Sequence, residues 1–356
     1  MRQAKVSAVP AATVPRTGAS RKALSSTSAG PFYLSPLCVP NGRHWDSKLT
    51  NSTTRSVMTL CRLYGLIVQG FGQGRNEAYK SWIRVTRSVS SPKSNLQVML
   101  VPIVGGKLHL LAGTEYDAAL LAVYLGAAEV RTQFPLWPSP SQSPLAGLHA
   151  DRDCSLPVIP GLLDIAREAG IDHGTYIGTS IPFVATCDLV LRIGAPPDDR
   201  LVFWSVKPLS KIVSGDVAIR VRERIELDRR FAVASGGGHR TIVGNEMSIA
   251  LKGNLGWMMP TLSSLVTLRQ SNQLGDFSGE FCDRSAHVDT LSGCIESSGT
   301  AASLDSKQAQ EVFRAAAWLG LVDVDLTRPV VMSRPPTFGG IQKAAQLRAM
   351  LLGDER

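Results

Sequence analysis

Apolar positions recur along this chain in two rhythms, and the changes between them mark out the expected elements. From Val57 the stretch VMTLCRLYGLIVQG turns apolar, and ordered structure is expected to begin there. SWIRVTRSV (81–89) alternates apolar and polar residues as a strand does. LQVMLVPIVGGKLHLL gives two extended runs around Gly105-Gly106, a hairpin pattern. Thr114 stands where an N-cap would, and TEYDAALLAVYLGAAE (114–129) has a helical composition. Prolines keep TQFPLWPSPSQSP (132–144) extended or in loops. LLDIAREAGI (162–171) predicts a short helix that ends at Gly170. FVATCDLVLRI (183–193) and RLVFWSVKPLS (200–210) predict two strands joined by the turn APPDD. A helix over 219–234 and a short strand over 240–247 follow.

Beyond Met258 the texture changes. Residues 270–303 are polar, Gly/Ser-rich and aperiodic, which predicts a loop or linker. Residues 306–332 give an alanine-rich helix, a stop at Gly320 and a short strand, the order found in a winged helix. The fold class expected is therefore α/β. Its organisation would be an arm over 1–56, a main domain over 57–258, and a linker with a C-terminal winged-helix-like α+β domain over 259–356.

Charge sharpens this division. The net charge is +9, but residues 1–60 carry eight Lys/Arg against one acid and residues 61–100 six against one, so the remainder is slightly acidic. The Ser/Thr/Pro-rich arm is either a solvated, disordered tail or a phosphate-contacting segment. Aromatic content of 6% argues against a large stacking surface for single-stranded nucleic acid. Cysteines at 38, 61, 154, 187, 282 and 294 form no Cys-x-x-Cys pair, which predicts reduced thiols without structural zinc. The longest apolar run, 118–128, is too short for a bilayer, and no secretory h-region opens the chain, so a cytoplasmic protein with no membrane partner is expected.

The candidate chemistry lies in the pair of strands. Asp188 sits inside an otherwise apolar run, where a carboxylate needs a partner or a metal. Lys207 ends the next run, 19 residues on, so antiparallel pairing brings the two onto one face. A carboxylate, a hairpin and a lysine form the core of the PD-(D/E)xK nuclease site. The position two before the lysine is usually acidic there, and here it is Ser205, a poorer metal ligand. Glu115, in the first turn of a helix, is the third candidate. The glycines at 70, 72 and 74 lack a following Lys-Ser/Thr and predict a tight turn rather than a nucleotide cradle.

Several blocks, in order, resemble TnsA, the endonuclease subunit of Tn-seven-type heteromeric transposases. They are GFGQGRNEAYKSWIRV (70–85), KLHLLAGTEYDAALLAVYL (107–125), VRTQFPLWP (130–138), AGIDH (169–173), ATCDLVL (185–191), WSVKP (204–208) and RERIELDRRFA (222–232). The resemblance implies a restriction-endonuclease-like core with Glu115, Asp188 and Lys207 as catalytic residues. It implies Mg²⁺, with Mn²⁺ able to substitute, held by Glu115, Asp188 and the Val206 main-chain carbonyl. Ser205, Glu223 and Glu226 would stand behind these ligands. The activity implied is cleavage of the 5′ ends of a mobile element in double-stranded DNA. The implied partners are a TnsB-like strand transferase and a TnsC-like AAA+ ATPase. A defence-type nuclease and a DNA-binding scaffold with a decayed site are the alternatives.

Overall fold

A computed structural model describes residues 57–86, 96–148, 150–213, 215–244 and 247–353. All described residues fall within one compact unit, 45–356. The arm expected over 1–56 lies outside the described residues, as do 87–89 of the strand expected over 81–89. Residues 81–86 form no strand.

Helix α1 (Leu60–Val68) starts behind Thr59, whose side chain accepts the Arg62 amide. Strands β1 (Gln97–Val101) and β2 (Gly106–Leu110) form the expected hairpin, Val101 opposite Gly106. Gly105 has φ 96°, and a Cβ there would come within 2.3 Å of the Asn76 backbone, so only glycine closes this turn. Helix α2 (Gly113–Tyr124) follows at once. Its N-cap is the extended Ala112 rather than Thr114, which lies within the first turn. Gly126, at φ 83°, turns the chain out of the helix, so Glu129 opens strand β3 (Glu129–Leu136) instead of closing α2.

A short pair, β4 (Ser141–Gln142) and β5 (Val158–Ile159), brackets α3 (Ala150–Asp153). Helix α4 (Leu162–Ala169) ends at Gly170 as expected. Strands β6 (Ala185–Ile193) and β7 (Arg200–Lys207) pair antiparallel across the predicted turn. Helices α5 (Leu209–Val213) and α6 (Gly215–Ala234) then carry the chain to β8 (Gly238–Val243), parallel to β7. The result is a mixed four-stranded sheet in the order β3-β6-β7-β8, so the chain is α/β.

Alternation along β7 builds both layers. Val202, Trp204 and Val206 enter one core with α2 residues Leu120, Leu121 and Val123. Leu201 and Phe203 enter the other with Leu162 and Ile165 of α4 and Leu227 and Phe231 of α6.

The C-terminal third is helical: α7 (Ile249–Met258), α8 (Leu265–Arg269), α9 (Asn272–Ser285), α10 (Leu291–Ala301), α11 (Ser306–Trp318) and α12 (Gly340–Leu352). Residues 270–303, expected as a loop, are mostly α9 and α10. Leu274, Phe277 and Phe281, three and four residues apart, supply a buried helical stripe within a polar composition. Helix α11 begins as expected, with an Asp305–Gln308 capping box. Among the described residues no strand follows β8, so the winged-helix expectation is not met. Pro329, Pro335 and Pro336 stand where a wing would need ladder donors. The sheet face against α2 shares one core with α7, α9, α10, α11 and α12, and the boundary expected near 258 falls inside it. Trp204 Nε1 donates to Leu351 O at 3.3 Å, tying α12 to β7. No helix among the described residues is long and apolar enough to cross a membrane.

Candidate functional site

The site gathers where β3 and β6 change faces. On β3, Val130 packs into the α2 core but Phe134 and Leu136 pack into the α4/α6 core. On β6, Leu189 and Leu191 belong to the first core, Ala185 and Cys187 to the second. In a regular strand residues two or four apart share a face. The ladder pairs Thr132 with Leu189 and Phe134 with Cys187, and no pair joins Gln133 and Asp188 between them. Gln133 has φ 50°, the left-handed region, and this single residue turns the strand over.

Asp188 and Lys207 meet as the hairpin predicts. Lys207 Nζ lies 2.5 Å from Asp188 Oδ2, and the Val206 amide donates to the same oxygen at 2.7 Å. Both side chains are largely buried. Burial acts to lower the Lys207 pKa, but the charge and hydrogen bond of Asp188, with Asp228 beyond, outweigh it and hold it above the ordinary lysine value. Lys207 is therefore an ammonium at any physiological pH. In an extended strand a residue's N–H and C=O leave on the same side. The Val206 carbonyl thus shares the side on which its amide meets Asp188.

Glu115 joins them from the first turn of α2 and is 7% exposed. Its Oε2 accepts the Leu111 amide at 2.8 Å and Gln133 Nε2 at 3.2 Å. Burial, and then the nearby charge of Asp188, push its pKa up to about 7. The Leu111 bond, the Lys207 charge and the Gln133 bond pull the other way but do not offset this. Two carboxylates with one ammonium between them leave negative charge incompletely balanced, the electrostatic condition that a cation relieves. Among the described residues no group of three or more His, Cys, Asp or Glu gathers to hold a metal ion. Glu115 and Asp188 are the two carboxylates brought together here.

The residues expected behind the site divide. Ser205 is fully buried and donates to Asp228 Oδ2 at 2.7 Å, and its oxygen lies 2.9 Å from His239 Nε2. Its one proton goes to Asp228, so His239 is the donor in the second bond. Burial, and then the Arg229 charge, lower the His239 pKa to about 4, which keeps the ring neutral. Burial raises Asp228 to about 6 against the pull of Arg224, Ser205 and Lys207. Glu223 and Glu226 make no hydrogen bond in this cluster: Glu223 pairs with Arg220, and Glu226 with Arg229 and Arg230, only its charge reaching His239. The α6 acid whose charge reaches Lys207 is Asp228. A helix presents residues three to four apart on one face, so Glu226 and Asp228 point apart. The apolar neighbours Leu227 and Phe231 set which of them faces the sheet.

Sequence reasoning missed Gln133, Asp228 and His239. Gln133 and Asp228 lie in quoted blocks, R-T-Q-F-P-L and E-L-D-R-R, but only the fold distinguishes them from their neighbours. His173, in the AGIDH block, donates from Nδ1 to Gly174 O at 2.9 Å, and its buried Nε2 has no hydrogen-bond partner among the described residues. Five cysteines are free thiols, and Cys38 lies outside the described residues. No family model matches the chain, and no curated protein matches it either.

Proposed function

We propose that the chain is a metal-dependent DNA endonuclease with a restriction-endonuclease-like core, cutting the 5′ ends of a mobile element. The observation that carries this reading is the Asp188–Lys207 pair on adjacent antiparallel strands, faced by the buried Glu115 at the start of α2.

The donor chemistry fits Mg²⁺ or Mn²⁺. Carboxylate oxygens are hard ligands, and such ions keep several waters and need few protein ligands. Glu115 and Asp188 would hold the ion, with the Val206 carbonyl as a third donor. Bound there, it would activate water and neutralise charge on the phosphodiester. Asp188 uses Oδ2 for Lys207 and Val206, so neither bond occupies Oδ1. Lys207, permanently charged, stabilises the negative charge that grows on the phosphoryl oxygens and orients the attacking water. It does not act as the proton acceptor. Ser205 cannot serve as a ligand in this arrangement, because its hydroxyl is spent on Asp228 and His239.

On this reading the partners are transposon-end duplex DNA, a TnsB-like strand transferase and a TnsC-like AAA+ ATPase, with the chain working on the nucleoid in the cytoplasm. The test is nicking of duplex DNA carrying the element's ends, in Mg²⁺ or Mn²⁺, with the strand transferase present. Wild type should cut the 5′ ends, and Asp188→Ala should not. An inactive wild type that still binds the DNA would instead mean a scaffold with a decayed site.

A further inference from the structure

Gln133 is the one residue of the site whose backbone as well as side chain is unusual. Its φ of 50° lies in the left-handed region, costly for a residue with a Cβ and no short side chain to bond its own backbone. It is 1% exposed. A glycine or asparagine would turn the strand more easily. Glutamine gives the turn two things neither offers. Its Nε2 reaches Glu115 Oε2 at 3.2 Å, and its Oε1 accepts Thr186 Oγ1 at 3.0 Å. Thr186 lies two residues before Asp188 on β6, and Asp188 is the residue left unpaired opposite Gln133. The amide therefore links the helix that carries one acid to the strand that carries the other. Its main chain is anchored as well, since Gln133 O accepts the Trp82 amide at 3.2 Å.

Both bonds to the Glu115 carboxylate, from Leu111 and Gln133, use Oε2. A carboxylate held by one oxygen has a fixed orientation and a second oxygen that neither donor takes. We infer that Gln133 is a positioning residue for the site: its amide, at a left-handed turn opposite Asp188, holds Glu115 by Oε2 so that Oε1 is presented to a divalent cation. The inference rests on the endonuclease reading, and it makes the strained turn part of the site rather than a consequence of packing. Residues that orient metal ligands in this way typically contribute about 10–100-fold to metal affinity.

The test is Mn²⁺ binding by calorimetry on the full chain, without DNA, beside thermal unfolding of the same samples. Gln133→Gly accepts the φ without strain and removes the amide. Gln133→Asn also tolerates the turn but is one methylene too short to span from Thr186 to Glu115. Thr186→Val keeps shape and removes only the hydroxyl that fixes Gln133 Oε1. Mn²⁺ affinity should fall about 10–100-fold in both Gln133 variants and several-fold in Thr186→Val. Nicking should fall in parallel at limiting Mn²⁺ and recover towards wild type when Mn²⁺ is raised. A turn that served only the backbone would leave Gln133→Gly with wild-type affinity, and that result overturns the inference while leaving the endonuclease reading in place. Should Gln133→Gly not fold, unchanged affinity in Gln133→Asn and Thr186→Val overturns it equally. A wild-type chain that binds no Mn²⁺ removes the endonuclease reading and this inference together, and that result is read without any variant.

Discussion

Replacing Glu115 with glutamine should stabilise the fold at neutral pH, although it removes a residue central to the proposed chemistry. Burial and the Asp188 charge raise the Glu115 carboxyl from its ordinary 4.5 to about 7. The folded protein thus binds this proton more tightly than the unfolded chain does. The stability that comes from the neutral carboxyl is present in full below about pH 4.5 and is lost as the pH climbs towards 7. Above 7 the ionised group is a constant penalty of about 3 kcal/mol, from 1.36 kcal/mol for each pH unit between the two values. At 7% exposure, solvent screening takes little of this away. Glutamine keeps an acceptor oxygen for the Leu111 amide and Gln133 Nε2 and carries no charge. The assay is urea or thermal unfolding of wild type and Glu115→Gln from pH 4.5 to 8.5, with a chelator present. The variant should gain up to about 3 kcal/mol at pH 8, roughly 6 °C for a chain of this size. The gain should shrink to nothing near pH 4.5. Asp228, raised from 3.8 to about 6, gives both proteins a slope of the same sign and cancels in the difference. A variant less stable at pH 8, or a difference that does not change with pH, would refute the reasoning. Added Mn²⁺ should stabilise wild type and close the gap, since the ion supplies what the missing proton did.

Asp188→Ala and Lys207→Ala should each abolish 5′-end nicking while gel-shift affinity for duplex DNA stays within a few-fold, and Lys207→Ala should also lose stability because Asp188 keeps its burial without its ammonium. Ser205→Ala strips the buried Asp228 of its short hydrogen bond, so urea unfolding at pH 8 should show a loss of about 1–3 kcal/mol that diminishes as the pH falls through 6. Phe281→Ala, in α9, should cost about 3–5 kcal/mol and lower the single unfolding midpoint followed by Trp fluorescence, because Phe281 shares its core with α2 and Trp204. An early, separate transition in that variant would mean that the C-terminal helices fold apart from the sheet.

The chain's sequence carried the pairing of Asp188 with Lys207 because that pairing needs little: two apolar runs, a short turn and antiparallel strands. The β1–β2 hairpin and α4 were legible for the same reason, each being local and punctuated by glycine. Helices α9 and α10 were not, because their apolar stripe is narrow. Ser278, Ser285 and Ser298 occupy buried positions that composition assigns to solvent. Buried serine on a helix can bond backward along its own chain, as Ser278 Oγ does to Leu274 O at 2.7 Å, so it needs no outside partner. The absent wing had the opposite cause: Val330 and Val331 suggest a strand, but tertiary packing of α12 and the flanking prolines decide the path. Glu223 and Glu226 against Asp228 is a question of helical phase. One residue of error in phase exchanges the solvated face for the buried one.

The exchange of faces at Gln133 and Asp188 accounts for how a carboxylate survives inside an apolar strand. Asp188 lies where β6 leaves one core and enters the other, so its side chain belongs to neither. Its Oδ2 meets the Val206 amide and the Lys207 ammonium rather than leucines. On one side stands α2 with Glu115, on the other α6 with Asp228, and Lys207 feels the charge of both neighbours. A regular β3–β6 ladder would return Asp188 to one core and close the gap opposite it. The strain at Gln133 and the repulsion between Glu115 and Asp188 are thus two parts of one arrangement. The turn opens a polar gap in the sheet, and the gap draws together acids that a regular strand would have kept apart. The steric cost of the turn stays with the fold, whereas the repulsion between the two acids is one that a cation would relieve, as the proposed site requires.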